Sequence, residues 1–166
     1  QLWYQAFSGN LAPSRPLRCV VCYAESKDGI DWHKPKFNLF QYGDIQETNI
    51  VLIANGGHSD RYGAAVLVDS LDPDSSRRYK MSYFDFAREN GKERPGLAVA
   101  FSPDGIVWPP AKETPLIPFS DTQICPFWDP RRRRYVAILR FGPPNTRLIS
   151  RTESEDFLNW SPKVTV

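Results

Sequence analysis

No stretch of this chain repeats its apolar residues at the helical period, so helices are not expected to build its core. No run approaches the ~18 consecutive apolar residues that would cross a bilayer as a helix. Cysteine is scarce: three in 166 residues make no disulfide framework, and with only two histidines no zinc-ligand spacing is completed. Cys19-x-x-Cys22 falls in an apolar, strand-like run, where residues three apart face opposite sides. Its thiols are therefore expected to be free and buried, and they assign no redox compartment. Charge imbalance is missing too. A net charge of +2 gives no field that would gather a polyanion. The single basic run, Arg131 to Arg134, reads as a solvated hairpin loop rather than a nucleic-acid contact. No metal or cofactor motif emerges and no leader peptide is visible, which leaves the compartment open, a secreted or periplasmic setting among the options.

What is present is aromatic residues (13%), fifteen prolines and turn signals between short apolar runs, the pattern of an all-β protein. One heptapeptide pattern occurs three times without gaps. Its copies are Ser26-Lys27-Asp28-Gly29-Ile30-Asp31-Trp32, Ser102-Pro103-Asp104-Gly105-Ile106-Val107-Trp108 and Ser154-Glu155-Asp156-Phe157-Leu158-Asn159-Trp160. A small residue, Ala24, Ala100 or Thr152, stands two places before each serine. Each copy follows a strand-like run, so it is expected to form a hairpin tip. The Ser and Asp side chains would hold the backbone there, and glycine would accept a positive φ. Phe157 in place of glycine should alter the third turn or strain it. The three aspartates are expected to be structural, since equivalent tips cannot all face one active site.

Aligning the copies exposes a longer unit of four short antiparallel strands, the last beginning at the repeated Trp. Leu2 to Phe7 aligns with Met81 to Phe86 as a second strand. Units that cannot bury both sheet faces alone can do so by stacking around an axis, which is the logic of a β-propeller blade. Blade segments are expected at about 1–37, 62–110 and 121–166, with Asn38 to Tyr62 as an elaborated connection. Roughly three blades are then present, an open arc whose natural partners are the remaining blades of a longer protein. A self-associating short chain is the alternative.

Leu2-Trp3-Tyr4, the Ser26 to Trp32 corner, Arg78-Tyr79-Lys80-Met81 and Phe127-Trp128-Asp129-Pro130 together resemble the five-bladed propeller glycoside hydrolases of families 32 and 43. The resemblance implies a funnel at one end of a central channel, where acidic residues from different blades cleave a glycosidic bond. One carboxyl group protonates the leaving oxygen while another acts as nucleophile or activates water. It also implies a carbohydrate substrate, with neither nucleic acid nor membrane as partner. Family 32 carries an Arg-Asp-Pro triplet before one inner strand; here Ser120-Asp121-Thr122 stands there, with the Asp retained and its neighbours replaced. Asp121 is thus the first candidate catalytic carboxylate. Asp60 and Glu47 are the others. His58, Arg61 and Arg140 are candidate substrate contacts, although Arg140 and its neighbours Arg147 and Arg151 equally suit ion pairs between blades. A non-catalytic propeller that binds glycans or proteins is the competing expectation.

Overall fold

The computed structural model describes residues 1–7, 19–53, 63–112, 114, 116–118, 124–141, 146 and 148–166, without the side chains of 86–89, 93, 117, 118 and 141. It is all-β. Three antiparallel sheets follow one another along the chain. Sheet 1 holds β1 (Leu2–Phe7), β2 (Cys19–Ala24) and β3 (Ile50–Leu52). Sheet 2 holds β4 (Ala65–Val68), β5 (Tyr79–Glu89), β6 (Lys92–Ser102) and β7 (Ile117–Pro118), in that order. Sheet 3 runs β8 (Cys125–Asp129), β9 (Arg134–Phe141), β10 (Leu148–Ser154) and β11 (Val164–Thr165). Among the described residues the only helical piece is one 3-10 turn, Ser75–Arg77, whose Ser76 N–H donates to the Asp74 side chain.

Where the links between strands are described, local chemistry builds their turns. Asn90 and Gly91, both at positive φ, make the two-residue turn that pairs Glu89 with Lys92. Asp129 accepts from the N–H groups of Arg131 and Arg132 and closes the β8–β9 hairpin, leaving the basic run in solvent. The three heptapeptides form one and the same corner. In each, the serine Oγ donates to the aspartate Oδ1 at 2.9, 2.8 and 3.0 Å. That oxygen accepts the next two N–H groups in turn, from Ile30 and Asp31, Ile106 and Val107, or Leu158 and Asn159. The Trp Nε1 then donates back to the carbonyl of Gly29, Gly105 or Phe157.

The sheets stack face on face. One apolar cluster joins Val21, Tyr23 and Val51 of sheet 1 to Met81, Tyr83, Ala98 and Ala100 of sheet 2, with Trp108 at its edge. A second joins Leu97 and Val99, on the opposite face of sheet 2, to Tyr135, Ala137 and Leu139 of sheet 3, with Ile124 and Phe157. Sheet 2 is therefore buried on both faces, which is why Leu97 to Ala100 reads as a continuous apolar run rather than an alternating one. The strand register confirms the alignment of β1 with β5: Leu2 pairs with Ala24 as Met81 pairs with Ala100.

Two expectations need correction. The fourth strand does not begin at the repeated tryptophan; only isolated bridges form there, and pairing resumes at Ile117 and Val164. Pro109, Pro110 and Pro162 follow Trp108 and Trp160 and have no N–H to give to a ladder. Second, Asn38 to Tyr62 is not all connection. Ile50–Leu52 pairs with β2 as the outer strand of sheet 1, so that sheet reaches beyond residue 37, and β7 carries sheet 2 beyond 110.

Candidate functional site

The three corners mark one end of the sheets and the lead-ins to the inner strands mark the other. β4 runs from Ala65 to the hairpin at Asp69–Arg78, beside the second corner, where Tyr79 pairs with Ser102. β8 runs likewise from Cys125 to Asp129, and Tyr135 pairs with Ser154. The chain therefore enters both inner strands at the end away from the corners. His58, Asp60 and Arg61 lie in the stretch leading into β4, and Asp121 in the stretch leading into β8. All four are outside the described residues.

Arg140 belongs to this same end. It lies in β9 opposite Ile149, two residues past Ile138, which pairs with Cys125 at the start of β8. It is partly buried. Its neighbour Arg151 is engaged by Glu153 at 3.1 Å.

Glu47 is set apart from these. It precedes β3, the outermost strand of sheet 1, at the end where β3 starts beside Cys22 and Tyr23. Its carboxylate is exposed and pairs with Lys36 at 2.6 Å, and that hydrogen bond and charge hold its acidity below the usual glutamate range. Glu47 lines a cavity of about 470 Å³ on the face of sheet 1 turned away from sheet 2, with Val20, Cys22, Tyr42, Asn49 and Ile50. Asn49 spans this wall, donating to Tyr4 Oη at 2.9 Å and to the Tyr23 carbonyl at 2.7 Å.

Two polar clusters went unnoticed in the sequence. Asp85 is buried in β5 opposite Gly96, and after burial itself its charge is what pushes the Tyr83 phenol well above the usual range. A carboxylate inside the apolar run Tyr83-Phe84-Asp85-Phe86 was the available signal. The second cluster centres on Lys80, which is wholly buried between sheets 2 and 3. Its Nζ lies 2.7 Å from Asp72 and 3.1 Å from Asp69, and 5.6 Å from the centre of the Tyr135 ring. Tyr135 Oη donates to Asp69. Burial would raise the Asp69 pKa, but the bonds from Tyr135 and Lys80 outweigh it and hold the carboxyl low. This cluster sits at the corner end of sheets 2 and 3, beside the Asp69–Arg78 hairpin. Groups of His, Cys, Asp and Glu able to hold a metal ion do not occur among the described residues.

Comparison with known proteins agrees with this architecture. The chain superposes on the fructofuranosidase of Schwanniomyces occidentalis complexed with fructose over 98% of its length, with a TM-score of 0.67 and 17% identity. It superposes on the family 32 β-fructofuranosidase BmSUC1 of Bombyx mori over 95%, with a TM-score of 0.62 and 13% identity. A mutant of that enzyme in complex with sucrose matches with a TM-score of 0.58 and 14% identity. The fold is thus that of a partial β-propeller, shared with a portion of these enzymes. The chain spans 30% of each of these solved chains. No family model and no curated protein matches it.

Proposed function

We propose that this chain is an arc of a carbohydrate-active propeller that hydrolyses glycosidic bonds, the remaining blades being supplied by a longer protein. The observation that carries the proposal is the shared sheet arrangement over 95–98% of the chain with enzymes described as β-fructofuranosidases. Fold alone does not fix activity. The positions of the acids supply a second argument. In the sequence Asp60 and Asp121 precede successive inner strands whose first described residues lie at the end opposite the three corners, and carboxylates from neighbouring blades would meet there in a funnel. One of the pair would protonate the leaving oxygen and the other attack the sugar or its water. Arg140, at the same end, would orient a sugar hydroxyl or hold an acid in its charged state. Glu47, beside an outer strand and neutralised by Lys36, does not join them in this proposal.

The test is turnover of a glycoside panel, fructosides and sucrose included, by the full-length polypeptide and its Asp121→Asn and Asp60→Asn variants. Loss of a general acid or nucleophile should lower kcat by about 10²-fold or more with folding intact. Unchanged turnover in both variants, or none on any glycoside by the parent, would sink the proposal.

A further inference from the structure

The three corners share sequence and hydrogen bonds but differ in what covers them. At the second corner the cover comes chiefly from Trp3 of sheet 1, with the Tyr79 ring of sheet 2 itself beside it. Trp3 Nε1 donates to the Gly105 carbonyl at 2.7 Å, and a Cβ on Gly105 would fall 2.6 Å from Trp3 Cζ2. At the third corner the cover is the corner's own side chain: Phe157 is completely buried against Phe101, Tyr135 and Trp160.

The register relates the two covers to equivalent places. Leu2, Met81 and Ala137 pair with Ala24, Ala100 and Thr152, each two residues before a corner serine. Trp3 and Ser82 therefore occupy equivalent places in successive sheets. A large ring at that place faces glycine in the next corner, whereas a small serine goes with phenylalanine in the next corner. Close packing would have one such volume filled once, from either side of the joint.

The first corner has glycine, and no cover among the described residues. Among the described residues nothing lies within 4 Å of a Cβ built on Gly29. Ile30 is 81% exposed and Trp32 43%, where the equivalent Trp108 is 6% exposed. The same face of sheet 1 carries the Val20, Cys22 and Ile50 cluster and the cavity of about 470 Å³.

We infer that the first corner is the receptor for an aromatic N–H donor, an indole in the manner of Trp3, carried on the second strand of a further sheet of the same polypeptide. The inference rests on the reading of the chain as an arc. Both internal joints argue for this occupant, because they have one polarity: the earlier sheet reaches the corner of the later one, Trp3 donating to the Gly105 carbonyl and Arg77 to the Asp156 carbonyl. The open corner lies on the face of sheet 1 that corresponds to the receiving faces of sheets 2 and 3. The glycine at Gly29 selects a ring as its cover, and the Gly29 carbonyl selects a ring with an N–H.

Two experiments test it. The first uses this chain and does not depend on the arc: Gly105→Phe, Trp3→Ser and the double variant, which copies the third joint into the second. The double variant should melt several degrees above Gly105→Phe alone, or recover folded protein if that single variant fails to fold. A double variant no better than the worse single variant overturns the exchange. The second follows Trp32 by 19F NMR of 5-fluorotryptophan-labelled full-length polypeptide, with and without Gly29→Phe. Trp32 should be shielded from solvent there, and Gly29→Phe should expose it. Shielding that survives Gly29→Phe overturns the receptor and leaves the arc standing. A Trp32 exposed at full length overturns both. Shielding that grows with concentration in the 166-residue chain assigns the occupant to a second copy and overturns the same-polypeptide assignment.

Discussion

Phe157 sets local backbone cost against burial. Its φ of 67° lies in the left-handed region that Gly29 and Gly105 also adopt, a conformation costing a side-chain-bearing residue about 1–3 kcal/mol. The turn is nonetheless the same as in the other copies, because a fully buried phenylalanine contributes about 3–5 kcal/mol against truncation. Phe157→Gly should therefore destabilise by about 2 kcal/mol although it relieves strain, read as a lower urea midpoint. Gly105→Ala should cost more than Gly29→Ala, since only the former drives a Cβ to within 2.6 Å of Trp3; equal midpoints would refute that account. Asp156 adds a dependence on pH. Burial alone would raise its pKa, but the N–H groups of Asn159 and Leu158 and the Asn159 and Ser154 side chains bring it down to about 2. A lowered carboxyl pKa stabilises above the unfolded value, near 4, and that stabilisation is lost as the pH falls toward 2. Denaturation midpoints of the parent and Asp156→Asn should differ above pH ~4 and converge near pH ~2. The corner residues were legible in the sequence because serine, aspartate and tryptophan act on their own neighbours. That a phenylalanine could keep the glycine turn was not, since the compensation comes from Phe101 and Tyr135, distant in sequence.

Strands behave similarly as elements. Their number and order were readable wherever a short apolar run met a turn signal, as at Asp129-Pro130 and Asn90-Gly91. Pairing partners at the sheet edges were not, because proline near each tryptophan delays the fourth strand and β3 hides in a long polar stretch. The joint between sheets 2 and 3 holds a cluster that no local pattern announces. Lys80 stands in β5 with its charge met by Asp69 and Asp72, and it also donates to the Arg77 carbonyl at 2.8 Å. Lys80→Ala would strand two partly buried carboxylates and should cost about 3–5 kcal/mol. Lys80→Met with Asp69→Asn and Asp72→Asn should cost less than Lys80→Ala alone, measured as unfolding free energies. If the triple variant is the worse of the two, the ions are stabilising rather than merely mutually required.

At the scale of the whole molecule the three sheets are not equal. Sheet 2 is packed on both sides, whereas sheets 1 and 3 each turn one face away from the stack, and Phe127, Ile138 and Ile149 of sheet 3 are exposed. Amide hydrogens of β6 should exchange slowest and those of β3 and β11 fastest, as measured by mass spectrometry; a uniform rate would mean that the sheets open as one unit. The propeller architecture could be read from the sequence because the repeat spells it out three times. The site could be read only as a resemblance. The candidate acids Asp60 and Asp121 stand in sequence stretches where neither periodicity nor turn chemistry singles out a carboxylate, and Asp121 lacks the Arg and Pro neighbours that would have marked it.

Cys125 gives the molecule an experimental handle. It is exposed at the start of β8, while Cys19 and Cys22 are buried, with the Cys19 thiol pushed by burial up to about 11 and Cys22 raised as well. A maleimide dye at neutral pH would therefore tag one position, on the outward side of sheet 3, without mutagenesis. Its emission would then register whatever comes to lie against that side.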